Sequence, residues 1–141
     1  MEDLTHWPLV VGVYREEATL AAYQAQLDRW QGWFARAQPF ALLRVYATPE
    51  SLAHPEGSAA VGKAWLMRNR PLLARWVVGM ATVILPPRDY ARLRNMQVEK
   101  AFGVPGGVFA QVEDAVAWLR ENAFAQAGIS VPEVNVDACR P

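Results

Sequence analysis

The chain has a single cysteine and no long apolar segment. Cys139 lies near the C-terminal end, so no intramolecular disulfide is predicted and a cysteine-based metal site would lack partners. No apolar run approaches the ~20 residues that cross a bilayer, and the first residues lack the basic and apolar regions of a secretion signal. These absences predict a protein of the reducing cytoplasm that has no membrane span.

Histidine is almost as scarce as cysteine. His6 and His54 lie far apart in the sequence, and neither stands in a metal-ligand spacing. Two surface histidines explain these positions better than a shared site does. The sequence therefore predicts no metal and no cofactor. Because the rest of the chain contains no convincing catalytic set either, we expect a protein that is not an enzyme.

One segment, Gly57 to Ala64, has the glycine and lysine spacing of a phosphate-binding loop. It has alanine where Ser or Thr must hold magnesium, and its Ser-Ala-Ala-Val run favours a helix over the open loop that cradles phosphate. The segment is therefore interpreted as a helix start with Ser58 as its cap. Ser58, Lys63 and the free amides there predict a weak anion site at most.

Charge is balanced overall but unevenly distributed. Residues 1–62 carry a net charge of −3, residues 63–100 carry +6 and residues 101–141 carry −3. The basic 63–100 segment could meet an acidic partner, a phosphate or a nucleic acid. A solvated helix face, balanced by acidic neighbours after folding, is the simpler interpretation.

Periodicity divides the chain into alternating strands and helices. Buried, largely apolar runs predict four strands: Pro8–Tyr14, Phe40–Ala47, Val77–Leu85 and Val108–Ala110. Helical spacing predicts four helices: Glu16–Ala37, 58–76, 88–102 and Val112–Gln126. Pro71 should kink or break the second helix near residues 69 and 70.

This order favours a single α/β domain over residues 1–127, with a mainly parallel sheet of four to five strands and helices on its faces. The remaining residues, 128–141, alternate apolar and polar side chains in places, at Val131, Val134 and Val136. They are predicted to form an extended tail.

The closing half of the chain resembles SpoIIAA-like proteins, a branch of the STAS superfamily of small α/β regulatory domains. The resemblance rests on Trp76–Ile84 and on Val108–Leu119, a strand followed by an amphipathic helix. It implies a non-enzymatic interaction or ligand-sensing domain. The phosphorylatable Asp-Ser turn of sporulation antagonists is absent, and the usual N-terminal hairpin would need a strand from residues 1–7.

Residues that follow the strands form the predicted binding rim, because open α/β sheets place ligands beyond the carboxyl ends of their strands. They are Arg15, Glu16, Thr48, Glu50 and Arg88. Six tryptophans are more than a domain of this size needs for packing, and aromatic anchors are common in interfaces. The residues predicted for an interface are Trp7, Trp30 and Trp33.

Three functions remain open on the sequence. The first is a regulator that binds a protein partner and could form a homodimer through the first helix or the tail. The second is a carrier of a small apolar ligand, with a cavity under the second helix lined by Trp65, Met67 and Met80. The third is an anion or nucleic-acid binder in which the basic side chains converge, namely Lys63, Arg88, Arg92 and Arg94.

Overall fold

The computed structural model describes residues 2–130 and 133–141. Four strands form one parallel sheet whose order follows the chain. They are β1 (Leu9–Tyr14), β2 (Phe40–Tyr46), β3 (Val77–Ile84) and β4 (Gly106–Phe109). The predicted single α/β domain with a parallel sheet is confirmed, as expected for aliphatic runs buried on both faces.

Six α-helices surround the sheet in the described residues. They are α1 (Leu20–Ala35), α2 (Ser58–Trp76), α3 (Pro87–Leu93), α4 (Val98–Phe102), α5 (Val112–Trp118) and α6 (Ala125–Ala127). A π-helical turn, Leu119–Phe124, joins α5 to α6, and 3-10 turns occur at Glu50–Leu52 and Val136–Cys139. Within the described chain, no helix combines the length and the apolar character that a membrane crossing needs.

Helix boundaries differ from the prediction where local caps compete with periodicity. Helix α1 begins at Leu20 rather than Glu16, because the Thr19 side chain accepts a hydrogen bond from the Ala22 amide at 3.1 Å. The cap of α2 is Gly57, with φ of 86°, so the predicted capping role of Ser58 is wrong. Ser58 is instead the first residue of the helix and is buried.

Two predictions about helix continuity are also corrected. Helix α2 runs through Pro71 without a break, so of the predicted kink or break the break is wrong and the kink stays a prediction. The missing amide of Pro71 leaves the carbonyl of Met67, an exposed residue, without its helical partner. The helix predicted over residues 88–102 is instead two helices, α3 and α4. The interruption lets Val98 turn into the core, where it lies so close to Gly106 that a side chain there would collide with it.

The sheet has two differently built faces. One face, which we call the aromatic face, packs against α1, α2 and α4 through five buried rings: Trp30, Trp33, Phe34, Phe40 and Trp65. The other, which we call the aliphatic face, packs against α5 and the π-helical turn through mostly small and branched side chains. Because strand side chains alternate, neighbouring residues such as Leu42 and Leu43 serve opposite faces.

Both ends of the chain lie against the sheet. An antiparallel bridge joins Asp3 to Val11 at the free edge of β1, in the region where the resemblance required an N-terminal strand. In the segment predicted as an extended tail, residues 136–139 form a 3-10 turn, and Val134 and Cys139 pack on the aliphatic face. Val131, part of the predicted alternation, lies outside the described residues.

Candidate functional site

A polar group interrupts the aromatic face near the carboxyl ends of the strands. Strand register places Gly12, Arg44, Thr82 and Val108 side by side across the sheet. Arg44 Nη2 donates a hydrogen bond to Thr82 Oγ1 at 2.8 Å, and its guanidinium carbon lies 5.1 Å from the centre of the Phe102 ring. Thr82 is fully buried and Arg44 is half-buried. A cation therefore lies on one face of the sheet, on one of its two inner strands.

A tyrosine and a carboxylate border this cation on the β1 side. The Tyr14 hydroxyl donates to Glu2 Oε2 at 2.8 Å, and Arg29 Nε donates to Glu2 Oε1. The Tyr14 and Tyr46 rings lie 5.3 Å apart. Gly12 is required beneath them, because a Cβ there would lie 2.5 Å from the Tyr14 hydroxyl oxygen.

The protonation states in this cluster follow from burial and pairing. Burial, with the nearby Glu2 charge second, raises the pKa of Tyr14 far above its ordinary value, so the phenol stays neutral. Burial acts to raise the pKa of Glu2 as well, but hydrogen bonds from Arg29 and Tyr14 outweigh it and hold that pKa below its ordinary value. Glu2 is thus an ionised carboxylate whose charge is already matched by Arg29.

The predicted rim lies at the same edge of the sheet but does not form one site. Arg15 and Thr48 are joined, since Thr48 Oγ1 donates to the Arg15 carbonyl oxygen at 2.8 Å. The Arg15 side chain turns to the C-terminal segment and donates to the carbonyls of Ala138 and Arg140, each at 2.9 Å. The other three rim residues are exposed: Glu16, Glu50 and Arg88.

The predicted tryptophan interface is wrong for Trp30 and Trp33 and stays a prediction for Trp7. Trp30 and Trp33 are each only 4% exposed, and their ring centres lie 5.0 Å apart inside the aromatic face. They present no surface to a partner. Trp7 is half-buried: it stacks on Phe40 at 5.1 Å and donates to Gln38 Oε1 at 2.8 Å.

The ligand cavity predicted under α2 has no matching geometry. Trp65 and Met80 are buried in the core, whereas Met67 is 68% exposed, so the three side chains do not line one space. Of the predicted weak anion site, Ser58 is buried and Lys63 is exposed, which separates them. Across residues 2–130 and 133–141, no group of three or more potential metal-ligating side chains occurs.

The outer surface of α2 carries a pattern that the sequence analysis did not identify. Five exposed apolar residues recur at intervals of four and three, which places them on one face: Ala60, Ala64, Met67, Pro71 and Ala74. Four exposed cations flank this row, two on each side: Lys63 and Arg70, then Arg68 and Arg75. We call this surface of nine residues the α2 ridge.

No acidic residue balances the α2 ridge. Helix α2 contains no Asp or Glu, and none of its four cations has a carboxylate within 4 Å in the part of the chain that the structure describes. The nearest aromatic contact is Arg75 over the Trp76 ring, at 4.8 Å. The ridge is thus an apolar strip between two rows of unpaired positive charge.

Comparisons with protein-family models, with curated proteins and with solved structures found no match to this chain.

Proposed function

We propose that this chain is a non-catalytic interaction module and that the α2 ridge binds an acidic amphipathic helix of a protein partner. The observation that carries the proposal is the pairing of an exposed apolar strip with four cations that have no carboxylate within 4 Å among the described residues. A partner helix with apolar residues along its centre and Asp or Glu on both flanks would match the ridge in shape and charge.

The composition of the ridge favours a protein helix over a nucleic acid or a bilayer. Alanines at the centre let a second helix approach closely, whereas Met67 gives one larger apolar contact. Nucleic-acid surfaces need polar groups that reach phosphates or bases along the centre of the contact. Helices that lie in a membrane surface carry Trp, Phe or Leu on the apolar side, and the ridge has none of these.

A relationship to SpoIIAA-like STAS domains is part of the proposal. It is supported by the parallel sheet with a closing strand and helix, β4 followed by α5, and by the N-terminal bridge at Asp3 and Val11. Domains of that superfamily are mostly interaction or ligand-sensing modules. That expectation agrees with a binding surface on α2 and with the absence of a recognised catalytic set in the sequence.

The test is binding of a labelled model helix with leucine along one face and glutamate on its flanks, measured by fluorescence anisotropy. Reversing two ridge charges, Arg68→Glu with Arg70→Glu, should weaken binding by roughly tenfold or more, since the Coulomb attraction becomes repulsion. The matched control is Arg88→Glu with Arg94→Glu, which changes net charge equally at exposed positions outside the ridge. If both double variants weaken binding equally, the effect comes from net charge alone, and the proposal that the α2 ridge is the binding surface is contradicted.

A second candidate is self-association, in which another copy of the chain supplies the acidic helix. The helical path from α5 through the π-helical turn exposes Glu113, Asp114 and Glu121 against a single cation, Arg120. It lies on the aliphatic face, opposite the α2 ridge, so a ridge-to-α5 contact joins copies head to tail. Sedimentation velocity should then show species larger than the monomer that dissociate as salt is added, and the Arg68→Glu, Arg70→Glu variant should remain monomeric.

A further inference from the structure

Arg44 is a cation whose counter-charge the described chain does not provide. Its guanidinium makes one side-chain hydrogen bond, to Thr82, and its Nε is buried without any partner. Within residues 2–130 and 133–141, no carboxylate lies within 4 Å of it. A charge drawn partly out of water without a partner is unfavourable, because it loses hydration and gains no attraction in return.

The neighbouring acidic groups do not fill this role. Glu2 is matched to Arg29, through a 2.6 Å contact between Arg29 Nε and Glu2 Oε1. Tyr14 donates its proton to Glu2 and stays a neutral phenol because burial raises its pKa. Burial also raises the pKa of Tyr23. An anion that balances Arg44 must therefore come from outside these residues.

A second buried nitrogen without a partner shows why Arg44 is different. Trp65 Nε1 also lacks an acceptor, but the residue is only 4% exposed and is enclosed by the rings of the aromatic face. The Trp65 side chain is neutral, and the surrounding rings separate it from solvent. Arg44 carries a full charge and is only half-buried, so part of its side chain is in contact with solvent.

We propose that Arg44 binds the carboxylate of a small molecule whose apolar body lies against Phe102. A planar guanidinium presents paired donors that match the two oxygens of a carboxylate. One carboxylate neutralises one cation, whereas a phosphate monoester carries up to two negative charges and leaves an excess. Phe102 is half-buried and its ring centre lies 5.1 Å from the Arg44 guanidinium carbon, so it is the aromatic side chain that an apolar group bound beside Arg44 would meet.

The experiment titrates the isotope-labelled full chain with sodium benzoate and follows the Arg44 Nε–H and Phe102 ring signals by NMR. The expected result is a saturable shift of both signals. Benzamide, which has the same shape without the charge, should shift neither. Because the site is separate from the α2 ridge, acidic-helix binding at the ridge should be unchanged by benzoate, and each proposal can fail without the other.

Substitutions of Arg44 test whether benzoate binds at this side chain. Arg44→Gln removes the charge, and Arg44→Lys keeps the charge but loses the planar fork; each should weaken benzoate binding by roughly tenfold. Arg44→Lys serves where Arg44→Gln does not fold. Arg120→Gln, which changes an exposed arginine in the π-helical turn on the opposite face of the sheet, should bind benzoate as the original chain does. Three outcomes would each overturn the proposal. Benzoate leaves the Arg44 signal unchanged, benzamide shifts the signals as much as benzoate does, or inorganic phosphate gives a saturable shift and benzoate does not.

Discussion

The aromatic face of the sheet packs five rings against three helices, whereas the aliphatic face packs mostly Ala, Val and Leu against one continuous helical segment. On the aromatic face the rings pack against one another, and the centre of the Trp30 ring lies 5.0 Å from that of Trp33 and 5.1 Å from that of Trp65. Small side chains instead let the segment around Leu119–Phe124 approach the strands closely. The candidate binding residues, Arg44 and the α2 ridge, both belong to the aromatic side of the molecule.

The largest expected effect comes from breaking the ring cluster. Trp30→Ala should lower the free energy of unfolding by about 3–5 kcal/mol, since Trp30 contacts the rings of Trp33, Phe34 and Trp65 and leaves a large cavity. The measurement is urea unfolding followed by circular dichroism. Trp118→Ala, the same change at a half-buried site on the aliphatic face, should cost less than half as much. Equal losses would contradict the contrast between the faces.

The next effect concerns the ion pair at the polar end of the aromatic face. Glu2→Gln should cost about 1.5–3 kcal/mol at neutral pH, because it removes a charged hydrogen-bond acceptor from Arg29 and Tyr14. The folded-state pKa of Glu2 lies below its unfolded value, because those hydrogen bonds outweigh the burial that alone would raise it. The stabilisation is therefore present above the ordinary glutamate pKa and is lost as the pH falls through the folded-state pKa.

Unfolding free energies at a series of pH values check this prediction. The difference between the original chain and Glu2→Gln should shrink as the solution is acidified. Glu16→Gln, the same change at an exposed position, is the control against which the Glu2→Gln difference is compared. A difference for Glu2→Gln that stays constant down to strongly acidic pH would argue against the ionised pair.

A smaller effect tests the close approach on the aliphatic face. A Cβ at Gly79 would lie 2.6 Å from the Cβ of Ala123 in the π-helical turn, so Gly79→Ala should cost about 1–3 kcal/mol through overpacking. Gly32→Ala, in α1 with nothing within 4 Å, should instead stabilise by about 0.5–1 kcal/mol. Thermal unfolding distinguishes the two signs. A neutral Gly79→Ala would show that this helix can move away from the strands at little cost.

The smallest stability effect is expected on the α2 ridge. Met67→Ala should change the free energy of unfolding by less than about 0.5 kcal/mol, because the side chain is 68% exposed. The same substitution should still weaken binding of the model acidic helix, so that an effect on binding can be distinguished from an effect on stability. Leu73→Ala on the same helix is fully buried and should cost about 2–5 kcal/mol. Anisotropy and urea unfolding on the same samples provide both values.

The sequence predicted the strands well because long runs of buried aliphatic residues have few other uses in a domain of this size. Helix details depended on contacts that no local pattern contains. The Thr19 cap makes α1 begin at Leu20, four residues after the predicted start at Glu16. The helix predicted over 88–102 is divided, and its second part begins at Val98, which packs against Gly106. Both helix boundaries depend on individual side chains, so hydrophobic periodicity does not predict them.

The candidate sites were only partly predictable for a related reason. Arg44 was visible as the one charge in a buried run, but its partner Thr82 lies on the next strand, and only strand register brings them together. The interface predicted for Trp30 and Trp33 is wrong because both side chains fit into the core once α1 packs against the sheet and α2. The α2 ridge was not predicted: its spacing of four and three is present in the sequence, but which face of α2 is exposed depends on how the helix packs on the sheet.

A sheet whose strand order follows chain order has a consequence for synthesis. Each strand pairs with the one made just before it, so β1, β2 and β3 can associate as the chain leaves the ribosome. The helices between them cover the aromatic face at the same time. The aliphatic face is covered only when α5 and the helical turn after it have been made. A nascent chain that stalls before Val112 therefore exposes Leu43 and Val83 to chaperones and proteases.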